Sequence, residues 1–291
     1  MQKVLVCLDT DTQPSLFDAV VAIDAGVDQL LRHGEVVPEQ VESLVHGAMF
    51  TRGPAELKNT AIFIGGSDVV AAEELLAVTT KCFFDPLRVS VLLDPSGANT
   101  TAAAAVLAAS RHVSPSGDRL ATVLGTGSVG QRVASMLVGE GTHVRLVSRQ
   151  WDRAEQICLA LAEKVDGDRL SPQGLSESSL ADVLEGASIL IAAGPTGIRL
   201  VDAETLAGCD SLRAVVDLNA VPPAGIASVQ PTDKGVERDG PTHSQWHYGA
   251  LGVGSLKMKI HKAAIRRLFE TNNLVLDAAA VLAIGRQINV D

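Results

Sequence analysis

Short apolar runs alternate with amphipathic stretches along most of this chain, and their order predicts its architecture. Residues 3–8, 60–64 and 87–93 are β-type runs, and each leads into a stretch with helical spacing. The first such stretch carries Phe17, Val20, Val21, Val27 and Leu31, with a second helix expected around 41–46; the others cover 69–83 and the Ala-rich 101–111. Strand and helix in alternation imply a parallel sheet covered on both faces. A linker at 113–117 follows, and the alternation resumes with strands at 121–124, 144–147, 187–193 and 212–218. Residues 230–246 are polar and read as loop, as does the region of His243 and His247. A glycine-rich turn at 249–255 then opens a helix over 256–269, whose apolar stripe is Leu256, Ile260, Ala264 and Leu268. The expected fold is therefore α/β with two domains, a first over 1–113 completed by the C-terminal helices 256–291, and a second over 118–255.

The second domain opens on a recognisable unit. A strand feeds Gly125-Thr126-Gly127-Ser128-Val129-Gly130, an amphipathic helix follows, and a second strand ends at Val147. In a Rossmann-type βαβ unit the first glycine makes the tight turn, the second lets a pyrophosphate approach the backbone, and the third permits close packing of helix on sheet. The amides at the helix start then hold the phosphate charge. An NAD site usually places an acidic residue at the end of the second strand; here Ser148 and Arg149 stand there, with Arg153 a turn beyond. A hydroxyl and two guanidinium groups suit a 2′-phosphate, so NADP is expected ahead of NAD. Gly194 and Asn219, in the loops after later strands, are further cofactor-binding candidates.

The strands of the first domain deliver polar residues at their carboxyl ends, where open α/β sheets bind ligands: Asp9 and Asp11, then Ser67 and Asp68, then Asp94, Asn99, Thr100 and Thr101. Helix capping competes with ligand contact as the account of any one of them. Lys257 and Lys259 fall at the start of the helix expected over 256–269, a position disfavoured for cations, which hints at an anionic or electron-rich ligand.

Composition narrows the function classes. The 291 residues carry a formal net charge of -10 and only 3% aromatics, a balance unsuited to nucleic acid. No apolar stretch reaches the length of a membrane span, and acids at Asp9 and Asp11 interrupt any signal-peptide pattern, so a cytoplasmic protein is expected. Cys7, Cys82, Cys158 and Cys209 form no paired motif and read as buried reduced thiols, and no cluster has metal-ligand spacing.

Six blocks together carry a family resemblance: DTDTQPSLFD ending at Asp18, TAIFIGGSD ending at Asp68, LDPSGANTTAAAA beginning at Leu93, GTGSVGQR beginning at Gly125, DLNAVPP beginning at Asp217, and GALGVGSLKMKIHKAAIRRLFE beginning at Gly249. They span nearly the whole chain, which resembles the NADP-dependent methylene-tetrahydromethanopterin dehydrogenases of bacterial one-carbon metabolism. The resemblance implies a pterin-binding α/β domain, a Rossmann domain, a cleft between them, and a homo-oligomer, trimeric or hexameric. It implies hydride transfer from the methylene bridge of the pterin to NADP, with Lys257 as the substrate-contacting or catalytic residue. Phe17 and Asp18 would line the pterin pocket, with Asn99, Thr100 and Thr101 on a loop facing the cleft. The sequence departs from the family pattern after Thr51-Arg52-Gly53, where Pro54 to Leu57 stand before Lys58. A methylene-tetrahydrofolate dehydrogenase is the nearest alternative; a non-catalytic NADPH-binding sensor is a second. Cyclohydrolase activity is not expected, because the sole tyrosine, Tyr248, is read as lying in a loop.

Overall fold

A computed structural model describes residues 1–288 of the chain, so the last three residues of the 256–291 stretch lie outside the described residues. The elements run β1 (Val4–Asp9), α1 (Leu16–Asp24), β2 (Gln29–His33), α2 (Pro38–Met49), β3 (Thr60–Gly65), α3 (Val69–Lys81), β4 (Ser90–Leu93) and α4 (Ala98–Ser110). They continue β5 (Leu120–Leu124), α5 (Ser128–Gly139), β6 (His143–Ser148), α6 (Trp151–Ala162), β7 (Leu170–Gly174), α7 (Leu180–Leu184), β8 (Ile189–Ala192), α8 (Ala203–Ala207) and β9 (Ala214–Asp217). Last come β10 (Lys234–Arg238), β11 (Gln245–Tyr248), α9 (Ala250–Arg267), β12 (Val275–Leu276) and α10 (Ala278–Gln287). Two compact units result, Met1–Thr100 with the chain from Met258 onward, and Thr101–Lys257. Both crossings between units fall inside helices, α4 and α9.

The first unit is a five-stranded parallel sheet in the order β12-β4-β3-β1-β2. Because side chains alternate across a strand, Val6, Leu8, Ile62, Ile64, Val91 and Leu93 share one face, where they pack with Val41, Val45 and Met49 of α2 and Leu75 of α3. Phe63, one residue out of step, serves the opposite face. The chain turns from β1 to β2 on one side and to β3 on the other, so the strand order reverses between β1 and β3. In doubly wound sheets the crevice at that reversal is where ligands bind.

The second unit is a seven-stranded sheet, β10-β11-β9-β8-β5-β6-β7, parallel throughout except that β10 runs antiparallel to β11. Its reversal lies between β5 and β8. The strands beside it are sealed: Ala121, Val123, Ile189, Leu190, Ile191, Val215 and Val216 are buried.

Several sequence expectations are corrected. Leu31 belongs not to a helical stripe but to β2, and on α1 the buried residues are Ala19, Val21 and Ala22, while Leu16, Phe17, Val20 and Ile23 face out. Residues 230–246 contain β10 and the start of β11 rather than loop alone. Tyr248 ends β11, buried, its hydroxyl 2.8 Å from Nε2 of His112, and His112 stacks on Trp246. The glycine-rich stretch 249–255 is not a turn ahead of a helix: α9 begins at Ala250, directly after β11. A Cβ on Gly249 or Gly252 would stand 1.9 Å from the Gln230 or Asp233 carbonyl oxygen, so these glycines let the helix start pack on backbone. Cys82 is half-buried, unlike the other three cysteines; all four are free thiols.

Candidate active site

The nucleotide turn meets each physical demand of its motif. Gly125 has φ +121°, and a Cβ there would meet the Ala193 carbonyl oxygen at 2.5 Å, so the turn closes against the loop after β8. A Cβ on Gly130 would lie 2.0 Å from the Gly125 carbonyl oxygen, which requires the helix to sit on its own turn. A Cβ on Gly127 would meet nothing within 4 Å. The backbone at Gly127 is therefore the open wall over which a pyrophosphate can pass, beside the first amides of α5, which have no intrahelical acceptor. Thr126, Ser128 and Val129 are half-buried around it; the Thr126 carbonyl accepts from Gln131 Nε2 and the Ser128 carbonyl from Arg132 Nη1. At the end of β6, Ser148 is half-buried and Arg149 exposed, with no carboxylate before Asp152 in the first turn of α6. Arg153 is exposed on α6, where Nη1 reaches Gln156 at 3.4 Å.

The loops facing this turn are internally braced. Gly194 accommodates Leu200, whose Cδ1 would stand 2.7 Å from a Cβ. Asn219 accepts from the amides of Gly197 and Val221 and donates to the Pro223 carbonyl, tying the loop after β8 to the loop after β9. Its side chain is thereby committed to holding loop shape. Buried Asp217 accepts from the amides of Asn219 and Ile226, and burial pushes its carboxyl above the ordinary value against the pull of those amides.

In the first unit, the carboxyl ends of β1 and β3 gather a second polar cluster. Asp9, buried, accepts from the amides of Asp11 and Ser15; burial raises its carboxyl while these amides oppose the shift. Asp11 accepts from the amide and hydroxyl of Ser67, stitching the β1 loop to the β3 loop. Ser15 caps α1 by accepting from the Asp18 amide, which sets Phe17 and Asp18 in its first turn. Phe17 is 48% exposed. The Asp18 side chain is 13% exposed, and Oδ1 lies 3.9 Å from Nε2 of the fully buried His261 on α9. His261 also stacks on Phe63, with ring centroids 5.9 Å apart at 22°, and lies 6.3 Å from the Phe17 ring. Cys7, buried nearby, has its thiol pushed up to about 12 by burial and is no nucleophile at neutral pH.

The structure places other expected residues differently. Asn99, Thr100 and Thr101 lie in the first turn of α4 rather than on a loop. Buried Asp94 accepts from the amides of Asn99 and Thr100 and from the Thr100 hydroxyl, while Asn99 donates to the Leu93 carbonyl. Asp94, Asn99 and Thr100 are sealed from solvent, and these bonds build the helix start; Thr101 is half-buried. Lys257 is half-buried and stands two turns inside α9, not at its start, while the amides of Leu251 and Gly252 there already donate to the Pro231 carbonyl. Lys257 is therefore not a cation at a helix start. Lys257 and His261 are four residues apart, on one face of α9. Neither His261 nor Phe63 stands out in the sequence as a site residue, although both fall inside blocks that carry the family resemblance, and His261 also stands at i, i+4 from Lys257. Among the described residues no group of three His, Cys, Asp or Glu could hold a metal ion, and no helix is long and apolar enough to cross a membrane.

Comparison with known proteins bears on the same elements. The N-terminal domain model of methylene-tetrahydromethanopterin dehydrogenase matches residues 16–96, from α1 through the β4 loop. The bifunctional protein MdtA of Methylorubrum extorquens is 37% identical over 289 residues, covering 99% of each chain. The NAD(P)-dependent methylenetetrahydromethanopterin dehydrogenase of the same organism is 31% identical, over 90% of this chain and 91% of its own. A shikimate dehydrogenase solved with NADP+ shares the fold, with a TM-score of 0.54 at 15% identity, over 100% of this chain and 96% of that one. Two doubly wound units, a nucleotide turn in the second, and relatives matched over nine-tenths or more of their length place the chain in the methylene-tetrahydromethanopterin dehydrogenase family.

Proposed function

We propose that this chain is an NADP-dependent oxidoreductase that takes a hydride from the methylene bridge of methylene-tetrahydromethanopterin and leaves the methenyl cation. The observation that carries the reading is the open wall at Gly127 within a glycine turn at the strand-order reversal of the second unit, in a chain of this family. The nicotinamide supplies the hydride acceptor when bound. Gly125, Thr126, Gly127, Ser128, Val129 and Gly130 hold the pyrophosphate, and Ser148, Arg149 and Arg153 favour a 2′-phosphate through charge-assisted hydrogen bonds, with NAD taken less well. Gly194 and Asn219 shape the loops beside the turn. On the pterin side Phe17 offers an exposed ring and Asp18 a carboxylate, Asp94, Asn99 and Thr100 keep the start of α4 in shape, and half-buried Thr101 in the same turn is the remaining substrate-contact candidate there. Lys257 contacts the substrate. The two nitrogens flanking the methylene carbon stabilise the cation as the C–H electron pair leaves, so the protein's share is orientation and little proton transfer is needed.

The exposed apolar face of α1 formed by Leu16, Val20 and Ile23, spaced i, i+4, i+7, supports a homo-oligomer; the trimer or hexamer and the cytoplasmic setting rest on the family resemblance and on the sequence expectation. A spectrophotometric assay of purified protein with methylene-tetrahydromethanopterin and methylene-tetrahydrofolate, each with NADP and NAD, tests the reading. Turnover is expected to be highest with the methanopterin form and NADP. A strong preference for the folate form would revise the substrate, and NADPH binding without hydride transfer from either pterin would leave a sensor.

A further inference from the structure

The cluster at the carboxyl ends of β1 and β3 contains a side chain that the reaction itself does not call for. His261 is fully buried, yet a slot walled by Phe63 and Phe17 would be filled at lower cost by a leucine or phenylalanine, because an imidazole carries two polar nitrogens into the interior. The Phe63 ring lies 5.9 Å from the imidazole at 22° and the Phe17 ring 6.3 Å from it at 34°. Its Nε2 then faces Asp18 Oδ1 at 3.9 Å, across the base of α1. Asp18 is held from its other end as well, since its amide donates to Ser15 Oγ at the helix cap. The Asp18 side chain keeps 13% exposure, and next to it the Phe17 ring is 48% exposed. A carboxylate edge beside an aromatic face is the chemistry that recognises a flat heterocycle with N–H donors along one side, as the pyrimidine half of a pterin has.

Resting on the proposed pterin reaction, we infer that His261 is a positioning residue: buried against Phe63 and near Phe17, it orients the Asp18 carboxylate toward the N–H donors of a pterin ring lying against Phe17. The charge at Asp18 carries the contact, and His261 acts only through it. Loss of His261 therefore weakens pterin binding without slowing the hydride step or touching the nucleotide site.

The test uses His261→Phe, which keeps a ring against Phe63 and removes both nitrogens, together with Asp18→Asn and the double variant, in the full-length protein. KM for methylene-tetrahydromethanopterin, kcat, KM for NADP and thermal midpoint are measured for each. His261→Phe is expected to raise the pterin KM about tenfold, the size of one hydrogen bond to a charged group, with kcat and the NADP KM within about twofold. The double variant is expected to be no worse than Asp18→Asn alone, since on this inference His261 acts through Asp18. If His261→Phe fails to fold, His261→Gln replaces it in the same cycle. A pterin KM unchanged in the folded His261 variant, or losses that multiply in the double variant, overturns the inference. Wild-type protein that turns over neither pterin overturns the proposed function and this inference together; wild-type turnover with an unchanged His261 variant overturns the inference alone.

Discussion

Gly127 and Gly130 make opposite predictions from the same motif. An alanine at Gly130 places its Cβ 2.0 Å from the Gly125 carbonyl oxygen, which is backbone and cannot rotate away. Overpacking of that kind costs about 2 kcal/mol, which lowers the thermal midpoint by roughly 4–8 °C in a chain of this size. Gly127 has φ -75° and nothing within 4 Å of the new methyl group. Alanine there gives up about 1 kcal/mol of helix-cap preference and regains a similar amount from the less flexible unfolded chain, so the midpoint should move by no more than about 3 °C. The methyl group does, however, occupy the wall assigned to the pyrophosphate. Loss of one hydrogen bond to a charged phosphate oxygen, about 1.5–3 kcal/mol, raises the NADP KM roughly 10- to 100-fold. The assay is differential scanning fluorimetry of the nucleotide-free protein paired with initial rates over an NADP series. A Gly127→Ala protein with an unchanged midpoint and an NADP KM within twofold of wild type would refute the placement of the phosphate over Gly127.

Other perturbations test separate parts of the reading. Arg149→Glu should raise the KM for NADP by about tenfold or more while leaving that for NAD nearly unchanged, because it sets a carboxylate against a 2′-phosphate; equal effects on the two would remove Arg149 from that contact. Lys257→Ala should lower kcat by about 10- to 100-fold with the NADP KM held within twofold, and unchanged turnover takes Lys257 off the site. His247 sits buried on β11, and burial, with Arg238 nearby, holds its imidazole down to about 4. The unfolded chain protonates it near 6.5, so between those values the unfolded state binds more protons. Stability that is full above about pH 6.5 is lost as pH falls toward 4, by on the order of 3 kcal/mol. Urea titrations of wild type and His247→Gln at pH 7.5 and 4.5 check this: the substitution should remove most of that pH dependence, and an equal slope in both proteins contradicts it.

The strands that periodicity missed share a place in the fold. β2 and β12 are the two edges of the first sheet, β7 and β10 the two edges of the second, and β11 lies next to β10. An edge strand has one neighbour and buries only part of its surface, so it needs no apolar run; Gln29–His33 and Lys234–Arg238 carry charge on exposed positions. The interior strands at 60–64, 121–124 and 187–193 are sealed on both faces and advertise themselves as near-continuous apolar runs, each with a single hydroxyl residue. The outward face of α1 misled for a related reason: Leu16, Phe17, Val20 and Ile23 are apolar yet exposed, and spacing alone does not say which side of a helix the core takes.

Local chemistry was enough to determine the glycine turn, its helix and the absence of an acid at the end of β6, because each demand there is met by residues within a few positions of one another. Tertiary structure alone decided three other things. Asn219 is a loop brace, because the fold brings the Gly197 amide, from the loop after β8, to its side chain. The glycines at 249 and 252 serve a helix pressed on the Gln230 and Asp233 carbonyls rather than a ligand turn. His261 stands beside Asp18, from the far end of the chain, because α9 returns to the face of the first sheet that Phe63 serves. Sequence spacing records neighbours along a helix or strand, whereas a contact between opposite ends of a chain exists only once the sheet that joins them has formed.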